Sequence, residues 1–173
     1  ITRDHFNDSY PRWSPDGTKI AFLRQYGRNY YDSLNVAVIS PDGVGLQRLT
    51  YDDADTNPSW STDGTRIAYQ HGPTNYAIPI DVWMMAADGS DPHLYMPVDS
   101  TNGCATVTFT PQNTLIGTDL STLRMQSTPT STSLGRVAGA QVTDVWEAVR
   151  LSPDGTTIAF TYLGYIGDQP AHH

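Results

Sequence analysis

Short apolar segments alternate with turn-forming residues along the whole chain. A twelve-residue pattern at residues 11–22 recurs at 58–69 and again at 149–160, and a weaker, shorter copy occupies 107–116. In each copy a run with strand-type alternation leads into a turn, and a second apolar run leads out of it. The pattern therefore predicts a β-hairpin at each copy.

The turn at the centre of the first copy is Ser-Pro-Asp-Gly, residues 14–17. The ring of Pro15 fixes the negative φ that the turn needs, Asp16 can bond its own backbone, and Gly17 fits a positive φ. These residues predict a type I turn closed by a left-handed residue. In the weaker copy Asn113 takes the left-handed position, for which asparagine is the next-best residue after glycine.

A second turn follows the first two copies at a nearly constant interval. The separation between Gly17 and Gly43 is almost the same as that between Gly64 and Gly89. Two hairpins in each period predict a four-stranded sheet. In the third copy the counterpart of the second turn is residues 127–133, which we expect to be a looser polar connection.

The repeat spacing identifies the architecture. The apolar anchors of the four copies, Trp13, Trp60, Phe109 and Leu151, recur at the interval that suits a four-stranded propeller blade. We therefore predict an all-β fold, a β-propeller of four-stranded antiparallel blades with about three and a half blades in this chain, which is a partial ring. The predicted blades are 3–50, 51–98, 99–142 and an incomplete blade at 143–173.

Two finer expectations follow from the same pattern. The repeated Trp13 and Trp60 should pack between neighbouring blades. The second strand of the last copy should end at Thr161–Tyr162, which leaves most of an outer hairpin missing. Three explanations of the partial ring stay open: a piece of a longer polypeptide, a half-ring completed by a second copy or another subunit, or one stretch of a tandem or fibrous assembly.

The repeat also resembles a known family. Trp-Ser-Pro-Asp-Gly-Thr-Lys/Arg-Ile-Ala-Phe, then a strand ending in Pro-Asp-Gly or Ala-Asp-Gly, then Arg-Leu-Thr, is similar to the TolB-type (WD-like) β-propeller repeat over nearly the whole chain. The resemblance implies a rigid ring whose loops or central funnel grip a protein or peptide partner in the periplasm or outside the cell. Similar repeats also form the gating propeller of prolyl-oligopeptidase-like peptidases and occur in some polysaccharide lyases.

Charge and composition narrow the classes of partner. The formal net charge is −8, from 18 acidic and 10 basic residues, which argues against nucleic acid and anionic membrane surfaces. The longest apolar run, residues 82–87, is far too short to insert into a membrane as a helix. A single cysteine, Cys104, and abundant Ser and Thr predict a secreted or periplasmic protein.

One acidic segment is the best metal candidate. Carboxylates and amides at close spacing suit Ca²⁺, and the segment supplies Asp52, Asp53 and Asp55. It fails as a helix–loop–helix calcium loop because Pro58 replaces the required glycine and Gly64 replaces the bidentate glutamate. A solvated acidic loop is the alternative, and no other cofactor is predicted.

Asp8 and Asp55 stand at equivalent positions, shortly before the tryptophans of their copies. They could receive a ligand on one face of the ring. The alternative, which we favour, is that each bonds to backbone in the connection between blades.

Glycosylation is a further hypothesis. Asn7 begins an Asn-Asp-Ser sequon. The segment 121–133 is rich in serine and threonine, and Thr128 and Thr130 flank a proline there, which makes them candidates for O-linked sugar.

No catalytic motif stands out. The chain contains no Gly-x-Ser-x-Gly nucleophile elbow, and Glu147, its only glutamate, has no partner in the sequence pattern. We therefore predict no enzyme but a non-catalytic, extracytoplasmic binding scaffold, whose partner is a protein or further copies of the chain that complete the propeller. The alternatives are a structural subunit of an extracellular filament or tandem-propeller assembly, and the propeller domain of a larger peptidase or polysaccharide-processing enzyme.

Overall fold

The computed structural model describes residues 2–27, 34–51, 55–72, 81–97, 104–119, 123–126, 131–133, 145–152, 158–166 and 169–172. Every regular element in these ranges is a β-strand. Accordingly, they contain no helix of the length and hydropathy needed to cross a bilayer.

The strands form four antiparallel sheets in chain order. The first sheet contains β1 (Asn7–Trp13), β2 (Ile20–Gln25), β3 (Leu34–Ile39) and β4 (Gln47–Arg48). The second contains β5 (Asp55–Trp60), β6 (Arg66–His71), β7 (Asp81–Ala86) and β8 (His93–Met96). The third contains β9 (Cys104–Phe109), β10 (Leu115–Asp119), β11 (Leu123–Gln126) and β12 (Ser131–Ser133). The fourth contains β13 (Val145–Leu151), β14 (Ile158–Ile166) and β15 (Gln169–His172).

This arrangement confirms the predicted all-β fold of four-stranded antiparallel sheets in a partial ring. Two details differ from the sequence prediction. The strand expected to end at Thr161–Tyr162 continues to Ile166 and pairs with β15, because residues 158–166 are mostly β-branched or aromatic. Residues 131–133, expected in a loose connection, pair with β11; residues 127–130 lie outside the described residues.

The predicted turns of the first three copies are confirmed by their backbone angles, whereas residues 153–157, which hold the fourth, lie outside the described residues. Gly17 and Gly64 have φ of 70° and 69°, and Asn113 has φ of 60°. Within the first turn Asp16 Oδ1 accepts hydrogen bonds from Ser14 Oγ at 2.6 Å and from Thr18 N at 3.0 Å. The hydrogen bond from Ser14 is the largest of the effects that lower the pKa of Asp16 to about 2.

The turn carboxylates should make stability depend on pH in acid. Hydrogen bonds from Thr65, Ser61 and Asn113 likewise lower the pKa of Asp63. A carboxyl group whose pKa is lower in the folded chain stabilises the fold above its unfolded pKa and loses that contribution as the pH falls through its folded pKa. Between about pH 4 and pH 2 we therefore expect the free energy of unfolding to fall.

Urea unfolding at a series of pH values measures this slope. The variants Asp16→Asn and Asp63→Asn should each show a shallower fall than the wild type. Asp91→Asn, which removes an exposed carboxylate outside these turns, is the control. Equal slopes for all four proteins would contradict the assignment.

Successive sheets pack face to face through apolar side chains. Between the first and second sheets lie Ala21, Leu23, Val36, Val38, Leu49, Trp60, Ile67, Tyr69 and Met85. A second cluster joins the second and third sheets and contains Ala68, Val82, Met84, Met96, Val107, Phe109 and Leu115. Trp60 is 8% exposed, and its Nε1 donates a hydrogen bond to the backbone oxygen of Arg12 at 3.1 Å. The prediction that the repeated tryptophans pack between blades is therefore confirmed for Trp60.

Trp13 is 59% exposed, and the described residues include no sheet on its side against which it could pack, so for Trp13 the same prediction stays a prediction. Trp13 pairs across the strands with Ile20, as Trp60 pairs with Ile67, so each tryptophan shares a sheet face with its partner. The face that carries Trp13 has its own small cluster, Ile20, Phe22, Ala37 and Ile39. It points away from the second sheet, and the described residues place no further sheet over it.

The turns of neighbouring blades are also linked. Thr62 N donates to Asn113 Oδ1 at 2.7 Å, and Asn113 Nδ2 donates to Asp63 Oδ2 at 2.5 Å. Asn113 therefore does more than replace a glycine at a left-handed position, since its side chain joins the second turn to the third. Sequence reasoning assigned it only the first role.

The first strands of successive sheets contact one another, β1 with β5, β5 with β9 and β9 with β13, so they form the inner wall of the partial ring. β1 and β5 carry the same irregularity. Tyr10 and Asn57, each followed by proline at equivalent positions of their copies, have φ of 53° and 48° where the strand register shifts. Such bulges turn a strand locally and re-aim its side chains. Tyr10 is 51% exposed on this wall.

Candidate binding site

The polar side chains of the first two blades gather at the end of the sheets opposite the turns at residues 14–17 and 61–64. β1 and β5 begin at this end, and β2 and β6 finish there. Because the strands are antiparallel, residues near the start of an inner strand face residues near the end of its neighbour. The geometry of the site follows from that register.

In the first blade the register places Asp8 beside Arg24. Arg24 is 1% exposed, and its Nε and Nη2 donate to the two oxygens of Asp8 at 2.8 and 2.7 Å, while Nη1 donates to Asp4 Oδ2 at 2.7 Å. The Cζ atom lies 5.3 Å from the Phe6 ring centre and 5.5 Å from that of Phe22. Hydrogen bonding to Asp8, the largest effect, raises the pKa of Arg24. This is a fixed, charged tie between β1 and β2.

The second blade carries an equivalent tie in which a histidine replaces the arginine. Asp55 and His71 occupy the positions of Asp8 and Arg24 in the second copy, and they pair across the strands in the same way. Asp55 is fully buried, with its Oδ1 2.8 Å from His71 Nδ1. The His71 ring lies 5.1 Å from that of Trp83.

The expected bonding of Asp8 to backbone is wrong, because its described hydrogen bonds go to the Arg24 side chain. The cross-strand register decides this, since it sets the carboxylate opposite a long basic residue. For Asp55 the described contact is likewise a side chain, His71.

A second arginine lies at the outer side of the same end. Arg48 Nε donates to the backbone oxygen of Thr50 at 2.8 Å, and Nη2 donates to Asn35 Oδ1 at 2.6 Å. The guanidinium carbon lies 4.3 Å from the Tyr26 ring centre and 4.7 Å from that of Tyr51. A guanidinium plane between two aromatic rings is stabilised by cation–π attraction. Tyr51 is 70% exposed, so this part of the site is open to solvent.

The predicted calcium segment is only partly described. Asp52 and Asp53 lie outside the described residues, and Asp55 is buried against His71. Within the residues that the structure covers, no three His, Cys, Asp or Glu side chains are grouped to hold a metal ion. The calcium site stays a prediction.

The glycosylation candidates also stay predictions. Asn7 is exposed at the start of β1, and its Nδ2, the atom to which an N-linked sugar attaches, donates to Gln25 Oε1 at 3.1 Å. An N-linked sugar would replace one of the two hydrogens on Nδ2, the donor atom of this hydrogen bond. Thr128 and Thr130 lie outside the described residues.

Sequence reasoning missed both arginines. Arg48 entered only as part of the Arg-Leu-Thr segment, and Arg24 was not singled out. The repeat itself held a usable signal, because the offset that relates Asp8 to Asp55 also relates Arg24 to His71. An acid and a basic residue that keep the same separation in two copies are candidates for a cross-strand pair.

Comparison with known proteins separates fold from function. No protein-family model and no curated protein matches the sequence. Among solved structures, TolB from Acinetobacter baumannii matches with a TM-score of 0.70 at 16% identity, over 94% of this chain and 41% of that one. A putative TolB from Agrobacterium tumefaciens matches with a TM-score of 0.71 at 14% identity, over 95% and 56%. The chain has a TolB-like β-propeller fold.

The TolB-like propeller spans about half the length of these two structures. The same fold occurs in an enzyme, since a prolyl endopeptidase matches with a TM-score of 0.61 at 15% identity, over 94% of this chain and 25% of that one. At such identities the likeness establishes the fold alone.

Proposed function

We propose that the chain is a non-catalytic binding scaffold that engages a protein partner outside the cytoplasm. One observation carries the proposal. At the polar end of the blades the acidic and basic side chains nearest the inner strands are tied to each other, Asp8 to Arg24 and Asp55 to His71, while Phe6 and Tyr51 stay 46% and 70% exposed. Tied charges hold a surface rigid, and exposed aromatic rings are typical of protein interfaces.

The likeness to TolB structures supports the extracytoplasmic part of this proposal, together with the composition of the chain. The acidic net charge favours a protein partner over nucleic acid. Pre-formed ties also favour binding, because a rigid surface loses little conformational entropy when it meets its partner.

Two alternatives remain in other classes. The exposed side chain of Trp13 suits a structural subunit that continues from propeller to propeller, as in a filament or tandem assembly. The match to a prolyl endopeptidase supports the second alternative, in which the chain is the propeller domain of a larger peptidase. Because polysaccharide lyases contain similar repeats, this alternative extends to a polysaccharide-processing enzyme.

The test combines capture with imaging of the native polypeptide. We expect discrete rings in electron micrographs. We also expect one protein to co-purify in a fixed ratio and to rebind after purification, with an affinity that calorimetry measures. Continuous filaments formed without any added ligand would favour the structural subunit. Hydrolysis of peptide anilides by the native polypeptide would overturn the non-catalytic role, and failure of a captured protein to rebind would overturn the scaffold.

A further inference from the structure

Hydrogen bonds hold one edge of the Arg48 guanidinium, while the donor at its other edge has no partner among the described residues. Its Nε and Nη2 atoms are bonded to Thr50 O and Asn35 Oδ1, whereas Nη1 donates no hydrogen bond to any described residue. Arg24 is neutralised by two carboxylates, but none of the ion pairs among the described residues includes Arg48. An arginine with an open donor is notable on a chain whose net charge is −8.

The open arginine belongs to a continuous stack of rings and cations. Phe6 contacts Arg24 and lies 5.5 Å from the Tyr26 ring; Tyr26 in turn contacts Arg48, which contacts Tyr51. We call these five residues the cation–aromatic stack. Its terminal rings, Phe6 and Tyr51, are the exposed ones, so the stack presents two apolar surfaces with a hydrogen-bond donor near one of them.

We propose that the cation–aromatic stack binds an acidic peptide segment of the partner, in which a carboxylate accepts a hydrogen bond from Arg48 Nη1 and neighbouring apolar groups pack on Tyr51 and Phe6. The inference rests on the proposed scaffold function and names the chemistry of its partner. A hydrogen bond between a guanidinium and a carboxylate is stronger than one between neutral groups.

Two features favour a peptide over other anions. The chain repels polyanions overall because of its charge of −8, so a segment with an isolated carboxylate among apolar groups suffers the smallest penalty. The two exposed rings also add contact area that a bare phosphate ion would not use. Since Thr50 and Asn35 already fix the guanidinium plane, binding orders few additional atoms.

Fluorescence anisotropy with a defined probe tests the inference. The probe is a labelled peptide, acetyl-Gly-Leu-Pro-Glu-Leu-Pro-amide, and the matched peptide has glutamine in place of glutamate. A hydrogen bond to a charged group contributes about 1.5–3 kcal/mol, so the glutamate peptide should bind at least about tenfold more tightly. Arg48→Gln should remove that difference. Arg66→Gln is the matched control, because it removes one exposed arginine of the second blade and should change the affinity by less than about twofold.

A second variant keeps the inference falsifiable if Arg48→Gln fails to fold. Tyr51→Ala removes an exposed ring and should weaken the glutamate peptide several-fold while the variant keeps the circular dichroism spectrum of the folded chain. Equal binding of both peptides, or equal effects of Arg48→Gln and Arg66→Gln, would overturn the assignment. Stronger competition by inorganic phosphate than by acetate would assign the site to phosphate and overturn it as well. If a folded Arg48→Gln variant still rebinds the captured partner at full affinity, this site is wrong and the scaffold stands.

Discussion

Replacing Trp60 with alanine should lower the free energy of unfolding by about 3–5 kcal/mol, the usual cost of removing a buried aromatic side chain. Trp60 fills the contact between the first and second sheets and also donates a hydrogen bond to the backbone of Arg12. The variant would leave a cavity and would remove the hydrogen bond that Trp60 donates to the Arg12 carbonyl. Urea denaturation followed by circular dichroism measures the change.

Trp13→Ala is the matched control at the equivalent position of the first blade. Its side chain is 59% exposed, so we expect a loss below about 1 kcal/mol. Similar losses for the two variants would contradict the packing described here. In the native polypeptide, a large loss from Trp13→Ala would show that another sheet covers this face.

The Arg24 variant should have the second largest effect. Arg24→Met retains most of the side-chain volume but leaves Asp8 without its cation, and breaking a buried ion pair costs about 3–5 kcal/mol. We expect the lower end, about 3 kcal/mol, because Asp4 and Asp8 are 39% and 18% exposed and water can hydrate them in the variant. The free energy of unfolding is again the quantity to measure.

The double variant Arg24→Met/Asp8→Asn isolates the charge effect. It removes the stranded carboxylate along with the arginine, so it should recover a large part of the loss. If the double variant were as unstable as Arg24→Met, lost packing against Phe6 and Phe22 would explain the effect, and the ion pair would not.

Local residue chemistry made the fold predictable. The turn sequences of the first three copies fix the direction of the chain over a few residues, so Gly17, Gly64 and Asn113 have the positive φ values that their positions required. The end of β14 was misplaced because it depends on pairing with β15 and not on a turn signal within the repeat. Whether a repeated residue such as Trp13 is buried likewise depends on the neighbouring sheet and not on the repeat alone.

The site was less predictable because it depends on contacts across strands. Asp8 and Arg24 are well separated along the chain, and only the register between β1 and β2 brings them together. Arg48 gains its aromatic partners from two different segments, one after β2 and one after β4. The periodicity of a single strand carries no information on contacts between side chains of different strands.

The packing of each sheet on its immediate neighbours has a consequence for unfolding. The described clusters join the first sheet to the second and the second to the third, so stability is approximately a sum of intrinsic and nearest-neighbour terms along the array. The second sheet contributes to both of these clusters, so among the first three sheets we expect it to open last. In that respect the chain behaves as a one-dimensional lattice, whose cooperativity is limited by its weakest interface.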